Sequence, residues 1–191
     1  IGPAIAAFER TELFAQFSSQ YDAYLQACLA AGETPDNCAK GIGKAAAMVG
    51  KKYFSKEEWY GLQLFMNENN NNDGILEKGE GAMCVACHIA DWTTPEDYEL
   101  SVQVPSWSDG KIPPLFTDFT YDNLGVPKSE HPLLVNNPVD IGLGEFAEGA
   151  DGMFKVMTLR NIGLTEPYAH NGFFERLKDI THFYNTRDVP G

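Results

Sequence analysis

The sequence predicts a mainly α-helical fold with long irregular loops and no substantial sheet. Three observations support this prediction: apolar residues at helical spacing near the start, a capping box before a second helix, and a long aperiodic stretch in the middle. No segment alternates apolar and polar residues over a convincing strand length. The elements are therefore expected to be helices joined by extended loops.

The helical elements are predicted from spacing and caps. The first helix is marked by apolar residues whose steps mostly place them on one face. These residues are Ile5, Phe8, Phe14, Phe17, Tyr21, Tyr24, Leu25 and Cys28. The run from Ser55 to Glu58 is a capping box, so a second helix should follow it with Trp59, Leu62, Phe65 and Met66 inward.

The second half is predicted to be mostly loop, with one helix at its end. Residues 90 to 150 are rich in proline, glycine and aspartate, and such extended loops are unusual in a compact domain unless they are functional. A last helix is predicted from Phe173 to Asn185. Its apolar stripe, Phe173, Leu177, Ile180 and Tyr184, should face the core, with His182 rotated away.

Size and charge limit the function. The 191 residues suffice for one substantial domain or two small ones. A formal charge of -13 argues against nucleic acid as a partner and suits a basic protein or bound cations. No apolar run approaches the roughly 20 residues that a membrane-spanning helix requires.

The strongest motif is C-x-x-C-H within "GAMCVACHIADW", residues 81 to 92. Two thiols at this spacing can both reach one edge of a haem, and the next histidine can bind the iron. A zinc site would need two further ligands, and no second C-x-x-C or H-x3-H spacing is present. A thioredoxin-like dithiol would need a βαβ context. The motif therefore predicts covalent haem c, with thioethers at Cys84 and Cys87 and His88 as proximal ligand.

Cys28 and Cys38 are the two cysteines outside this motif. They flank the turn-rich segment "LAAGETPDN", which could bring the thiols together in a disulfide. A disulfide would indicate an oxidising compartment, as c-type haem attachment would. The alternative is two unrelated buried thiols.

Several separated blocks resemble one protein family in the family's own order. The blocks "AIAAFERTELF", "PLFTDFTYDNLGVP", "FKVMTLRNIGLTEPYAHNGFF" and "ITHFYN" are similar to the C-terminal haem domain of bacterial di-haem cytochrome c peroxidases and MauG-type enzymes. The resemblance implies a cytochrome-c-like helical fold, a periplasmic location and peroxide reduction or peroxide-driven oxidation of a partner. It also implies a redox partner such as a small cytochrome or cupredoxin.

The chain departs from the family pattern in ways that shape the expected function. It has a single C-x-x-C-H, Met157 stands where a proline is usual, and the family's closing helix is expected to be missing. We expect a leading helix and disulfide loop over 1–54 and a haem domain over 55–191. The predicted function is relay of electrons to or from a peroxide-reactive haem in another domain or chain. The alternatives are a mono-haem electron carrier and a scaffold in which haem is structural.

The sixth ligand of the iron is not fixed by the residues alone. The candidates are Tyr184, His182, His170, His131, Met153 and Met157. Tyr184 stands where the resemblance places an axial tyrosine in MauG-type enzymes and a methionine in the peroxidases. We therefore predict Tyr184, with Met157 or Met153, one of the histidines, or an open site as alternatives. A tyrosinate would favour ferric iron and lower the potential, whereas methionine would raise it.

Two further residues are assigned to the cofactor. Arg160 in "TLRN" could pair with a haem propionate through parallel N–H donors, or be an ordinary surface arginine. His170 in "PYAHNG" is expected to orient or tune the haem from nearby, or to be bonded to backbone.

The segment "NNNNDGILEKGE", residues 69 to 80, follows the grammar of an EF-hand calcium loop at several offsets. The predicted calcium ligands are Asn69, Asn71, Asp73, Ile75 and Glu80, with Gly74 at the sharp turn. Asparagine at the first position removes a carboxylate, so a solvated polar loop is the alternative.

Overall fold

The computed structural model describes residues 2–9, 16–67, 81–93 and 111–186. The chain forms two compact units, Ile1–Leu115 and Phe116–Gly191. The described residues are mainly helical, with one antiparallel pair of two-residue strands, as the sequence predicts. The predicted boundary after residue 54, between the leading segment and the haem domain, stays a prediction. None of the described helices is long and apolar enough to cross a membrane.

The described residues of the first unit form five helices and one short 3-10 turn. The helices are α1 (Gly2–Glu9), α2 (Gln20–Ala30), α3 (Pro35–Lys40), α4 (Lys44–Tyr53) and α5 (Lys56–Met66), and the 3-10 turn is Cys84–Ala86. The predicted capping box is confirmed at α5, where the Ser55 hydroxyl accepts from the Glu58 N–H and the Glu58 carboxylate accepts from the Ser55 N–H.

The prediction of one continuous first helix is wrong. Residues 16–18 are not helical, and Phe17 has a positive φ of 43°. A new helix, α2, begins after Ser19, whose side chain and Asp22 form a second capping box. An aspartate at the third helical position closes this box as a glutamate would. The apolar spacing continued across the break and hid it.

The core of the first unit surrounds the disulfide predicted between Cys28 and Cys38. This disulfide is confirmed, and both cysteines are fully buried. The Tyr24 hydroxyl donates to the Cys38 carbonyl at 2.9 Å, and the Tyr21 hydroxyl donates to the Ala39 carbonyl at 2.7 Å. Burial, aided by the negative charge of Glu33, raises the pKa of Tyr24 to about 12. Helix α3 is thus fixed to α2 by a covalent bond and by hydrogen bonds from two tyrosine hydroxyls.

The second unit is mostly irregular. Its strands β1 (Tyr121–Asp122) and β2 (Phe154–Lys155) pair antiparallel, with Tyr121 opposite Lys155. Two 3-10 turns, Leu143–Glu145 and Ile162–Leu164, and one helix, α6 (Leu177–Thr186), complete its described elements. The expected long loops with short helical turns are therefore present.

Helix α6 begins later and faces differently from the prediction. It starts at Leu177 rather than Phe173, because the Tyr168–Phe174 bridge holds Phe174 in extended structure. The Phe183 ring packs against the buried Phe174 ring at 5.1 Å. Tyr184, predicted to face the core, is 44% exposed. The aromatic contact of Phe183 sets the inner face of α6 and turns Tyr184 away from it.

Candidate functional site

The C-x-x-C-H motif forms a tight turn in the first unit. Met83, in the left-handed region at φ 54°, precedes the 3-10 turn Cys84–Ala86. The N–H groups of Cys87 and His88 both donate to the Cys84 carbonyl, the latter at 2.9 Å. The backbone therefore folds the two cysteines and the histidine into a single compact turn.

Contacts at both ends fix this turn in the unit. On one side the N–H of Ala82 donates to the Leu64 carbonyl at 2.6 Å, at the end of α5. Gly81 is buried against Asn67 so closely that an added Cβ would lie 2.6 Å from the Asn67 Cβ. On the other side the Trp92 indole N–H donates to the Pro35 carbonyl at 2.9 Å.

The chemistry of the three side chains fits covalent haem. Neither Cys84 nor Cys87 forms a disulfide, and both are half-buried. Burial raises the pKa of Cys84, so its thiol is protonated at neutral pH. Over the described ranges, no three His, Cys, Asp or Glu side chains form a group that could hold a metal ion. The two thiols and the imidazole of this turn are the side chains that covalent haem c requires.

All six candidate sixth ligands lie in the second unit, and they differ in exposure. Tyr184 is 44% exposed and its ring meets Phe183 edge-on at 5.9 Å, whereas Met157 is 62% exposed. Met153 is half-buried, and its N–H donates to the Ala150 carbonyl at 3.1 Å. Tyr184 and Met157 are thus side chains that contribute little to the core of this unit.

Two of the three histidine candidates are His182 on α6 and His131 in a loop. A cleft of about 680 Å³ runs beside α6 and is lined by His182, together with Phe173, Phe174, Glu175, Arg176, Asp179, Phe183 and Thr186. His131 is exposed, and its Nδ1 accepts from the Leu133 N–H at 3.2 Å, which stabilises a turn. Of the six candidates, the described cleft includes only His182.

Arg160 and His170 both lie against aromatic rings of the second unit. The Arg160 guanidinium lies 5.5 Å from the centroid of the Phe116 ring, a cation–π contact. The His170 imidazole is parallel to the Phe154 ring, with an interplanar angle of 6° and centroids 3.5 Å apart. Their assignment to the haem stays a prediction.

The stacked imidazole of His170 is expected to titrate below an ordinary histidine. The Phe154 ring shields one face from water and lowers the pKa of His170, while the negative charge of Asp140 opposes this shift. A lowered folded pKa stabilises the fold above the pKa of the unfolded chain, and this contribution is lost as the pH falls through the folded value. We expect an NMR titration to place the midpoint of His170 below 6.5, its usual value. In Phe154→Ala the midpoint should rise, and an unchanged midpoint would contradict the role of the stack.

The predicted calcium ligands, Asn69, Asn71, Asp73, Ile75 and Glu80, lie outside the described residues. That site stays a prediction.

Two contacts that position the motif were missed from the sequence. Trp92, in the quoted motif block, belongs to the buried cluster around Tyr24 and Cys38. Lys40 pairs with Asp91 at 3.5 Å, so α3 contacts the segment after His88 twice. Both contacts join residues more than 50 positions apart, and no local pattern indicates such a pairing.

Comparison with known proteins agrees with the chemistry of the turn. The chain is 27% identical over 190 residues to the methylamine utilization protein MauG of Paracoccus denitrificans (strain Pd 1222), covering 95% of this chain and 36% of that protein. It is 28% identical over 174 residues to the cytochrome-c peroxidase IdrP2 of Pseudomonas sp. (strain SCT), covering 78% of this chain and 35% of that protein. The chain is a relative of the di-haem cytochrome c peroxidase/MauG family.

The family relationship supports a haem peroxidase-like class for this chain. The chain spans about a third of the length of these relatives. No family profile and no solved structure matches it. The Cys84–His88 turn lies in the first compact unit, whereas the candidate sixth ligands lie in the second.

Proposed function

We propose that this chain is a haem-c electron-transfer domain or subunit of a MauG-like di-haem peroxidase. It would relay electrons to or from a peroxide-reactive haem in another domain or chain. The observation that carries the proposal is the compact Cys84–His88 turn, in a chain similar to MauG over 95% of its length. Hydrogen peroxide would be the oxidant, and a small cytochrome or cupredoxin in the periplasm the redox partner.

Each side chain of the turn has a defined task in this proposal. Cys84 and Cys87 would hold the haem through thioether bonds, and His88 would bind its iron. Haem supplies an iron that stores one electron by changing between ferric and ferrous states. The contacts of Trp92 and Gly81 hold the turn in place.

Three residues of the second unit have roles at the haem in this proposal. Tyr184, as a phenolate, would favour the ferric state and lower the potential, and its 44% exposure leaves the phenol little occupied by core packing. Arg160 would neutralise a propionate, and a guanidinium suits that task because its planar N–H donors match a carboxylate. His170 would lie near the ring as a neutral imidazole, as its lowered pKa favours.

Intact mass spectrometry of the matured protein tests the proposal. We expect one covalent haem adduct per chain, which should be abolished when both Cys84 and Cys87 are replaced by alanine. Val85→Ala changes the same 3-10 turn without touching a donor and should retain the adduct. A matured wild-type chain without the adduct would contradict the proposal.

A mono-haem electron carrier is the second candidate, favoured by the single C-x-x-C-H of this chain. The two functions differ in the haem content of the protein isolated from its native source. A pyridine haemochrome assay should give two haems per complex for the peroxidase-type function. One haem per complex would favour the carrier.

A further inference from the structure

A positively charged surface lies on the first unit of this otherwise acidic chain. Five lysines and no carboxylate occur between Asp36 and Glu57, although the chain contains 27 Asp and Glu against 14 Lys and Arg. The rest of the chain therefore carries nine basic residues against all 27 acidic ones. This segregation of charge coincides with α4 and the turns at its two ends.

Three of these lysines share one face of α4 with an exposed methionine. At roughly 100° per residue, Lys44, Met48, Lys51 and Lys52 fall within an arc of about 100°. The three lysines are exposed, and Met48 is 66% exposed. Ile42, just before the helix, is 51% exposed. We call the surface formed by Lys44, Met48, Lys51 and Lys52 the lysine face.

Helix stability does not account for the whole lysine face. Lys51 and Lys52 lie in the last turn of α4, where the helix dipole favours cations. Lys44 is the first residue of the helix, where the same dipole disfavours a cation. Among the described residues, no ion pair joins Lys44, Lys51 or Lys52 to a carboxylate. The charges of this face are therefore not used within the described fold.

The opposite side of α4 makes the lysine face rigid. Ala46 and Val49 are buried, and Gly50 packs directly against the Trp59 ring of α5. A charged surface on a firmly packed helix loses little conformational freedom of the backbone when it binds a partner.

We propose that the lysine face is a docking surface for a protein with clustered carboxylates around an apolar centre. Charge complementarity selects the partner, because lysines surround Met48 and a ring of carboxylates would meet them. Methionine is enriched in protein interfaces, whereas charged residues occupy their rims. A membrane surface fits less well, since an interfacial helix needs a broad apolar face and this one offers a single methionine. The proposal does not depend on haem.

Binding to acidic polymers tests the proposal on the full chain. We expect a fluorescein-labelled copolymer of glutamate and tyrosine to bind more tightly than polyglutamate, and added salt to weaken both. The triple variant Lys44→Glu, Lys51→Glu, Lys52→Glu should weaken copolymer binding by about tenfold or more. Met48→Ser should remove the preference for the copolymer. The triple glutamine variant, which lacks the reversed charges, should give an intermediate loss and guards against misfolding.

The matched control reverses three exposed lysines of the second unit, Lys128, Lys155 and Lys178, and changes the net charge equally. It should retain copolymer binding. Equal weakening by both triple variants would overturn the proposal, because bulk charge would then be responsible. So would absence of binding, or tighter binding to vesicles of equal parts phosphatidylcholine and phosphatidylglycerol than to the copolymer.

Discussion

Replacing Gly50 with alanine is expected to destabilise the protein by about 2–3 kcal/mol. Gly50 lies inside α4, and an added Cβ would be 2.7 Å from Trp59 Cη2 and closer still to two other ring atoms. The Trp59 ring cannot easily retreat, because it stacks on Phe54 at 6.1 Å and meets the Tyr24 ring edge-on at 5.9 Å. The overpacking cost should exceed the gain of about 1 kcal/mol that alanine brings to a helix interior. Urea unfolding measures the difference.

Gly61→Ala provides the matched control. Gly61 lies inside α5, and an added Cβ would meet nothing within 4 Å. Alanine should therefore stabilise the protein there by up to about 1 kcal/mol, through helix propensity alone. If both variants shifted the unfolding midpoint in the same direction, the close approach of α4 to Trp59 would not be a constraint.

Local patterns predicted helix α5 and the disulfide, but they did not predict the break before α2 or the helices α3 and α4. Ser55 and Glu58 are three residues apart, so their capping box is visible in the sequence and is confirmed. The break at Phe17 was missed because the apolar spacing continued through it and the second box ends in Asp22 instead of glutamate. The spacing of apolar residues shows which residues share one face of a helix, whereas the capping residue determines where the helix begins.

In the candidate site, too, features formed by neighbouring residues are visible in the sequence, and those formed by distant contacts are not. The hydrogen bonds of the Cys84–His88 turn join neighbouring residues, so the motif that forms it is visible in five residues of sequence. The orientation of Tyr184 depends instead on the contact between Phe174 and Phe183, which are nine positions apart. This contact places the Phe183 side of α6 toward the core, in place of the predicted apolar stripe that contains Tyr184. Two aromatic faces of one helix cannot be ranked by periodicity alone.

Replacing Tyr184 with methionine is expected to raise the reduction potential of the haem by on the order of 100 mV. A phenolate stabilises ferric iron, whereas a thioether sulfur stabilises ferrous iron. The variant should fold as the wild type does, because Tyr184 is 44% exposed and the core contact of α6 is made by Phe183. Spectroelectrochemical titration of the haem-loaded protein measures the potential.

Two controls separate ligation from a change elsewhere on the second unit. Met157→Leu removes a 62% exposed thioether, and His182→Gln removes the imidazole that lines the cleft beside α6. Both should leave the potential near the wild-type value if Tyr184 binds the iron. Tyr184→Phe keeps the ring but removes the phenol oxygen, so it should change the visible spectrum as Tyr184→Met does. A shift caused by His182→Gln and not by Tyr184→Met would assign the sixth ligand to the histidine, because a potential responds to the bound atom rather than to the exposed neighbour.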